Sequence, residues 1–81
     1  MEIKKSAEVA KLLESRGITD AEVSEVLKQA EQMEQGKFYH EETGRYSASK
    51  KIGDAAYWVV YSPADGGYEV HSAYWHKATL T

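Results

Sequence analysis

The chain has no cysteine, a single proline and no apolar run long enough to cross a bilayer. Without cysteine there is neither a disulfide framework nor a thiolate metal site, and a reducing cytoplasm is the expected setting. A membrane span needs about 20 apolar residues. The opening MEIKKSAEVAKLLES is interrupted by charge too often for a secretory leader, so a soluble, untargeted protein with no membrane partner is expected. A basic stripe is also missing. Residues 1–36 carry five basic and eight acidic side chains and residues 37–81 carry five of each, giving a net charge of −3. Nucleic-acid binders gather Lys and Arg on one surface, and this balance weighs against one.

What is present suits one small folded domain over residues 1–81. Hydrophobic residues make up 42% and charged residues 28%, ordinary for a globular chain of 81 residues. A chain of this size buries only roughly 60% of the surface it exposes unfolded, so its core is thin. No repeat, linker or low-complexity tract marks a boundary.

Both tryptophans and four of the six tyrosines fall between Ala55 and Trp75. Two runs rich in Val, Tyr and Trp, Ala55 to Tyr61 and Tyr68 to Trp75, flank SPADGG, and together they predict a β-hairpin. Before it, Arg45 to Ile52 alternates, and Gly53–Asp54 suits a two-residue turn with glycine first. Lys37 to His40 reads as a short edge strand and Glu41 to Gly44 as a turn.

The first 36 residues read as helices. Ser6 can cap a first helix carrying Val9, Leu12 and Leu13, with Gly17 available to end it. Thr19 and Glu22 form a capping box stapled by Ile18 and Val23. The stripe Val23, Val26, Leu27, Ala30, Met33 then predicts a helix over 19–35, closed by Gly36, with Glu22, Glu25, Gln29 and Gln32 facing solvent. A helix-turn-helix DNA reader would need a basic second helix, and this one is acidic. The expected fold is therefore α+β: an N-terminal helical hairpin, residues 1–36, packed on one face of a three- to four-stranded antiparallel meander, residues 37–81.

A one-residue slip moves every side chain to the other face, so registers can be tested against each other. Pairing Tyr46 with Tyr61, and Tyr61 with Tyr68 across SPADGG, collects Tyr46, Ala48, Ile52, Tyr57, Val59, Tyr61, Tyr68, Val70 and Tyr74 beneath the helices. The second face then holds Arg45, Ser47, Ser49, Lys51, Ala56, Trp58, Val60, Glu69, His71, Ala73 and Trp75. Two tryptophans and a valine facing water mark an interface, a ligand surface, or a face covered by the N-terminal segment or the tail from Lys77.

The second half also resembles a small uncharacterised α+β domain family of anaerobic bacteria. The likeness rests on Glu42 to Tyr46 (ETGRY), Tyr57 to Tyr61 (YWVVY) and His71 to Lys77 (HSAYWHK), and spans roughly residues 37–80. Members of that family look like short proteins or segments accompanying glutamate-synthase-like, flavin- and pyridine-nucleotide-dependent oxidoreductases. The resemblance implies a fold and a redox neighbourhood, with an oxidoreductase as partner, and no particular reaction.

No catalytic constellation stands out. His71 could serve as a base, but none of Ser47, Ser49 and Ser72 carries the signature of an activated hydroxyl. His71 and His76 lie five apart, on opposite faces of a regular strand, so no metal site or cofactor is expected unless the strand bulges. The leading expectation is a non-enzymatic interaction module that homodimerises through Trp58, Val60, His71, Ala73 and Trp75, rimmed by Arg45 and Lys51. The alternative places a small ligand or single-stranded nucleic acid on the same face, with Trp58 and Trp75 stacking bases beside Arg45, Lys51 and Lys77.

Overall fold

A computed structural model describes residues 2–32 and 37–77. Its elements are β1 (Glu2–Lys4), α1 (Ala7–Ser15), α2 (Asp20–Gln32), β2 (Lys37–His40), β3 (Arg45–Ile52), β4 (Ala55–Ala64) and β5 (Gly67–Lys77). They form an α+β fold with two helices on a five-stranded mixed sheet of order β1-β5-β4-β3-β2. The expected helix end at Met33 to Gly36, and the tail beyond Lys77, lie outside the described residues.

The helix ends follow the local chemistry of the sequence. Ser6 Oγ accepts from the Val9 amide at 3.2 Å, capping α1. Gly17 takes φ +71°, and the Gly17 and Ile18 amides return to the carbonyls of Glu14 and Leu13 at 3.1 and 2.9 Å. That pairing is a Schellman motif, and it places Ile18 against Leu13 in the core. One residue later the capping box forms. The Thr19 amide donates to Glu22 Oε1 at 2.8 Å and the Glu22 amide donates to Thr19 Oγ1 at 3.3 Å. We expect Thr19→Ala to cost about 1 kcal/mol in urea unfolding, and more than Glu25→Ala on the same helix. Equal costs would mean that α2 starts elsewhere.

Val23, Val26, Leu27 and Ala30 are buried against Ala48, Val59, Tyr61, Val70 and Ala73 of the sheet. α1 lies over β5 and α2 over β3 and β4, so each helix packs chiefly on its own strands instead of pairing with the other in a hairpin. On the polar flank of α2, Glu25 and Gln32 are exposed as expected, while Glu22 and Gln29 are half-buried toward the sheet. Lys50 of β3 donates to Glu25 at 2.6 Å, and Gln29 Nε2 donates to the Ser49 carbonyl at 3.1 Å. The Thr19 amide, and after it the Tyr57 hydroxyl on β4, hold the Glu22 carboxyl below its ordinary value of 4.5. Because that folded pKa is lowered, the contribution is present above the ordinary value and is lost as pH falls through the folded one.

Three features of the sheet differ from expectation. The first is β1, a parallel partner of β5 through Ile3↔Tyr68, so the N-terminal segment extends the sheet edge instead of covering a face. Three residues are too few for alternation to show. The second is the last hairpin, whose strands run on to Ala64↔Gly67 around a two-residue turn at Asp65–Gly66, with Gly66 at φ +78°. Pro63 is tolerated within β4 because β3 ends its pairing at Tyr46↔Tyr61, leaving Pro63 on a local edge where no amide is needed.

The third is a bulge. Tyr61 pairs with Val70 but Val60 pairs with Ser72, so His71 is an extra residue in β5. From there on the alternation is reversed: Val59 faces Ala73, Trp58 faces Tyr74 and Tyr57 faces Trp75. The expected pairs Tyr61↔Tyr68, Val59↔Val70 and Tyr57↔Ser72 do not form, whereas the β3–β4 register agrees residue for residue.

Candidate interaction face

The sheet face away from the helices is built from alternate residues of all five strands. β4 contributes Ala56, Trp58, Val60 and Ser62, and β3 contributes Arg45, Ser47, Ser49 and Lys51. β2 adds Phe38 and His40 through the pairs Phe38↔Ser47 and His40↔Arg45. β5 adds Glu69, His71, Ser72, Tyr74 and His76, and β1 adds Glu2 and Lys4.

An aromatic row crosses this face. Trp58 and Tyr74, directly opposite on neighbouring strands, lie with ring centroids 6.2 Å apart and planes 7° from parallel. Phe38 reaches Trp58 from two strands away, at 6.5 Å and 21°, because the intervening β3 positions are the small Ser47 and Ser49. His76 meets the edge of Tyr74 at 5.5 Å. Phe38 is 56% exposed and Tyr74 36%, so the row faces water.

Of the residues expected on this face, Arg45, Ser47, Ser49, Lys51, Ala56, Trp58, Val60, Glu69 and His71 are found there. Ala73 and Trp75 are not. The His71 bulge turns both toward the helices, where Ala73 is fully buried and the Trp75 indole N–H donates to the Arg16 carbonyl at 2.9 Å. Arg16 answers with a 2.6 Å bond from Nη1 to the Ala73 carbonyl. Tyr74, expected under the helices, takes the outward place. Phe38, His40, Tyr74 and His76, with Ser62, Ser72, Glu2 and Lys4, also lie on the face. Phe38 and His40 could have been found by carrying the β3 register across the ETG turn. Tyr74 could not, because Tyr74 and Trp75 are adjacent aromatics and either would satisfy an apolar pattern.

Comparison of the chain with protein-family models, with curated proteins and with solved structures returned no match. The chemistry of the face must therefore be read from its own groups.

His71 Nε2 and Ser62 Oγ are 2.8 Å apart, as are His40 Nε2 and Ser47 Oγ at 2.9 Å. Reach alone does not make a nucleophile, since the base must also be oriented by a third group. Neither imidazole has a further side-chain hydrogen bond among the described residues. Both pairs tie neighbouring strands together across the face. The bulge also places His71 and His76 on one face, yet no group of three or more His, Asp or Glu gathers among the described residues. A depression of about 560 Å³ is lined by His40, Glu41, Glu42, Thr43, Arg45 and Val60 and leaves out Trp58 and Tyr74. The aromatic row, with Phe38 and Tyr74 exposed, lies outside that depression, unlike a small-molecule site that encloses most of its ligand.

Proposed function

We propose that this protein is a non-enzymatic interaction module that forms a homodimer by burying the open sheet faces of two copies against each other. The observation that carries this reading is the row Phe38, Trp58, Tyr74, exposed at Phe38 and Tyr74 and half-buried at Trp58, with Val60 beside it, on a face that no element covers among the described residues. Its composition supports the reading, since aromatic residues and arginine are the side chains enriched where proteins meet. Its size does too. Five strands about 4.8 Å apart and eight residues at about 3.3 Å each outline roughly 600 Å² in projection. A rough surface of that outline is comparable with the roughly 800 Å² per partner of a standard interface. A two-fold pair is the simplest way for such a patch to be covered.

Trp58→Ser with Tyr74→Ser should turn a dimer at tens of micromolar into a monomer in sedimentation velocity, with far-UV helix signal retained. Trp75→Ser should leave the oligomeric state unchanged, because that side chain, although about half exposed, lies on the helix side of the sheet and is bonded to the Arg16 carbonyl. A wild-type monomer at these concentrations would sink the homodimer and assign the face to a different partner. The redox neighbourhood implied by the resemblance makes an oxidoreductase the first to try.

A further inference from the structure

We propose that the two copies meet about a two-fold axis parallel to β4, which sets Arg45 of each against Glu69 of the other. The inference rests on the dimer reading above and adds how the second copy is seated on the same face.

The registers sort the face into cross-strand rows. Lys4 pairs with Glu69, Glu69 with Ser62 and His40 with Arg45, while Tyr46↔Tyr61 brings Arg45 level with Ser62. One row therefore runs from edge to edge as Lys4, Glu69, Ser62, Arg45, His40. Past His40 the turn carries Glu41 and Glu42, which line one depression with Arg45 and Val60 and so belong to this end of the face. Charge alternates along the row: cation, anion, small neutral serine, cation and then, past His40, anions. Such an order is self-complementary, as a two-fold interface requires. Turned end for end about Ser62, Glu69 of one copy comes over Arg45 of the other, and Lys4 comes over His40 beside Glu41 and Glu42. These charged side chains are all exposed, and none has an ion pair within its own chain among the described residues.

The same rotation suits the sizes of the uncharged side chains. Ser49, Trp58 and Tyr74 share a row, so Tyr74 comes over the small Ser49 of the second copy, while Trp58 and Val60 meet their own counterparts near the axis. Ser62, also near the axis, is small enough to let the charged rows close. Lys51, Ala56 and His76 form the far row, which sets Lys51 against His76 and adds no ion pair. Glu2 lies one step outside the charged row, opposite Gly67, and Asp54 sits in the turn at the other end. Counted with both turns, the face has three cations and five anions, so the attraction comes from where the charges stand and not from their total.

Other placements of the axis fail on charge. A two-fold across the strands, centred between Val60 and Trp58, reverses the rows and sets Arg45 against Lys51. An axis moved to lie between β4 and β5 brings Arg45 over Lys4. Like charges brought together in an interface oppose association, whereas opposite charges fix its register. The axis along β4 also leaves the strands of the two sheets nearly aligned, and aligned sheets pack at about 30° and about 10 Å apart.

The test is sedimentation velocity at tens of micromolar and constant ionic strength, with circular dichroism on every chain. Arg45→Glu and Glu69→Arg, each alone, should weaken the dimer Kd at least about 100-fold, because every dimer then holds two like-charged contacts. Both positions are exposed, so the helix signal should be retained. An equimolar mixture of the two variants should return to within about tenfold of the wild-type Kd, since both contacts of the mixed dimer are again of opposite sign. Lys51→Glu, on the same face but outside the charged row, should change Kd less than about fivefold. Variants that dimerise as the wild type does, or an Arg45→Glu chain that associates more tightly, overturn this arrangement and leave the dimer standing. Folded variants whose mixture stays monomeric overturn it as well. A wild-type monomer removes the dimer reading and this inference with it.

Discussion

Replacing Leu27 by alanine should cost about 3 kcal/mol and lower the melting temperature by roughly 12–24 °C. Leu27 is 1% exposed and the largest of the fully buried side chains. It sits on α2 with Val23, Val26 and Ala30, in one buried cluster with Ala48, Val59 and Tyr61 of the sheet. Deleting such a side chain costs about 2–5 kcal/mol, the transfer term plus a cavity term. Each kcal/mol moves the midpoint of a domain this small by about 4–8 °C. Total stability at this size is on the order of 5 kcal/mol, so the loss would leave the chain close to its unfolding threshold at 37 °C. Lys28→Ala, one residue along and exposed, should change stability by less than about 0.5 kcal/mol. Thermal melts followed by circular dichroism give both numbers. Similar costs at the two positions would mean that the stripe does not face the sheet.

Gly67→Ala should be almost as damaging, for a reason that lies in the backbone. β1 runs so close to β5 at this point that a Cβ on Gly67 would collide with the Glu2 main chain. The methyl cannot be absorbed by a rotamer change, so either β5 shifts or β1 leaves. β1 holds by three residue pairs and by the Glu2 amide bonded to the Gly66 carbonyl at 3.1 Å, and it carries Ile3 against the core. Losing that docking should cost about 2 kcal/mol, the burial of one aliphatic side chain together with its ladder bonds. Hydrogen exchange separates this from a general weakening. Protection at Glu2 and Lys4 should vanish while Val59 and Val70 stay protected in proportion to the remaining global stability. Retained protection at Glu2 would show that β5 can yield and that the close approach is not required.

How much of this could be read in the sequence depended on whether local chemistry decided the outcome. Ser6, Gly17, Thr19 and Glu22 act within one helical turn, so their spacing foretold the caps. The β3–β4 register was equally legible, because Gly53–Asp54 pins it at one end and alternation confirms it along eight residues. β5 was not. Its extra residue leaves no mark in composition. Pro63 in SPADGG drew attention from Asp65–Gly66, the tighter turn, which shifted the pairing by two residues without changing faces; the extra residue at His71 then placed Tyr74 and Trp75 on each other's faces. β1 was invisible for another reason: a three-residue parallel strand gains its place only from a partner more than sixty residues away. As a result the open face was foreseen, with nine of the eleven residues expected there, while the ring that stacks on Trp58 was assigned to the wrong side.

The arrangement of strand lengths also bears on edge-to-edge association of the sheet. YWVVY, Tyr57 to Tyr61, has the β-branched and aromatic density, with no charge, of segments that stack into cross-β aggregates. The fold keeps it in β4, paired with β3 on one side and β5 on the other, so its main-chain groups are already spoken for. The strands left at the periphery are the two shortest, three residues and four. β1 shields only Gly67 to Glu69 of the eleven-residue β5, but farther along Arg16 occupies the Ala73 carbonyl and Trp75 is tied back to α1. A neighbouring chain seeking to add a strand there would have to displace a guanidinium and an indole first, and short, blocked margins of this kind are how native sheets resist edge-to-edge growth.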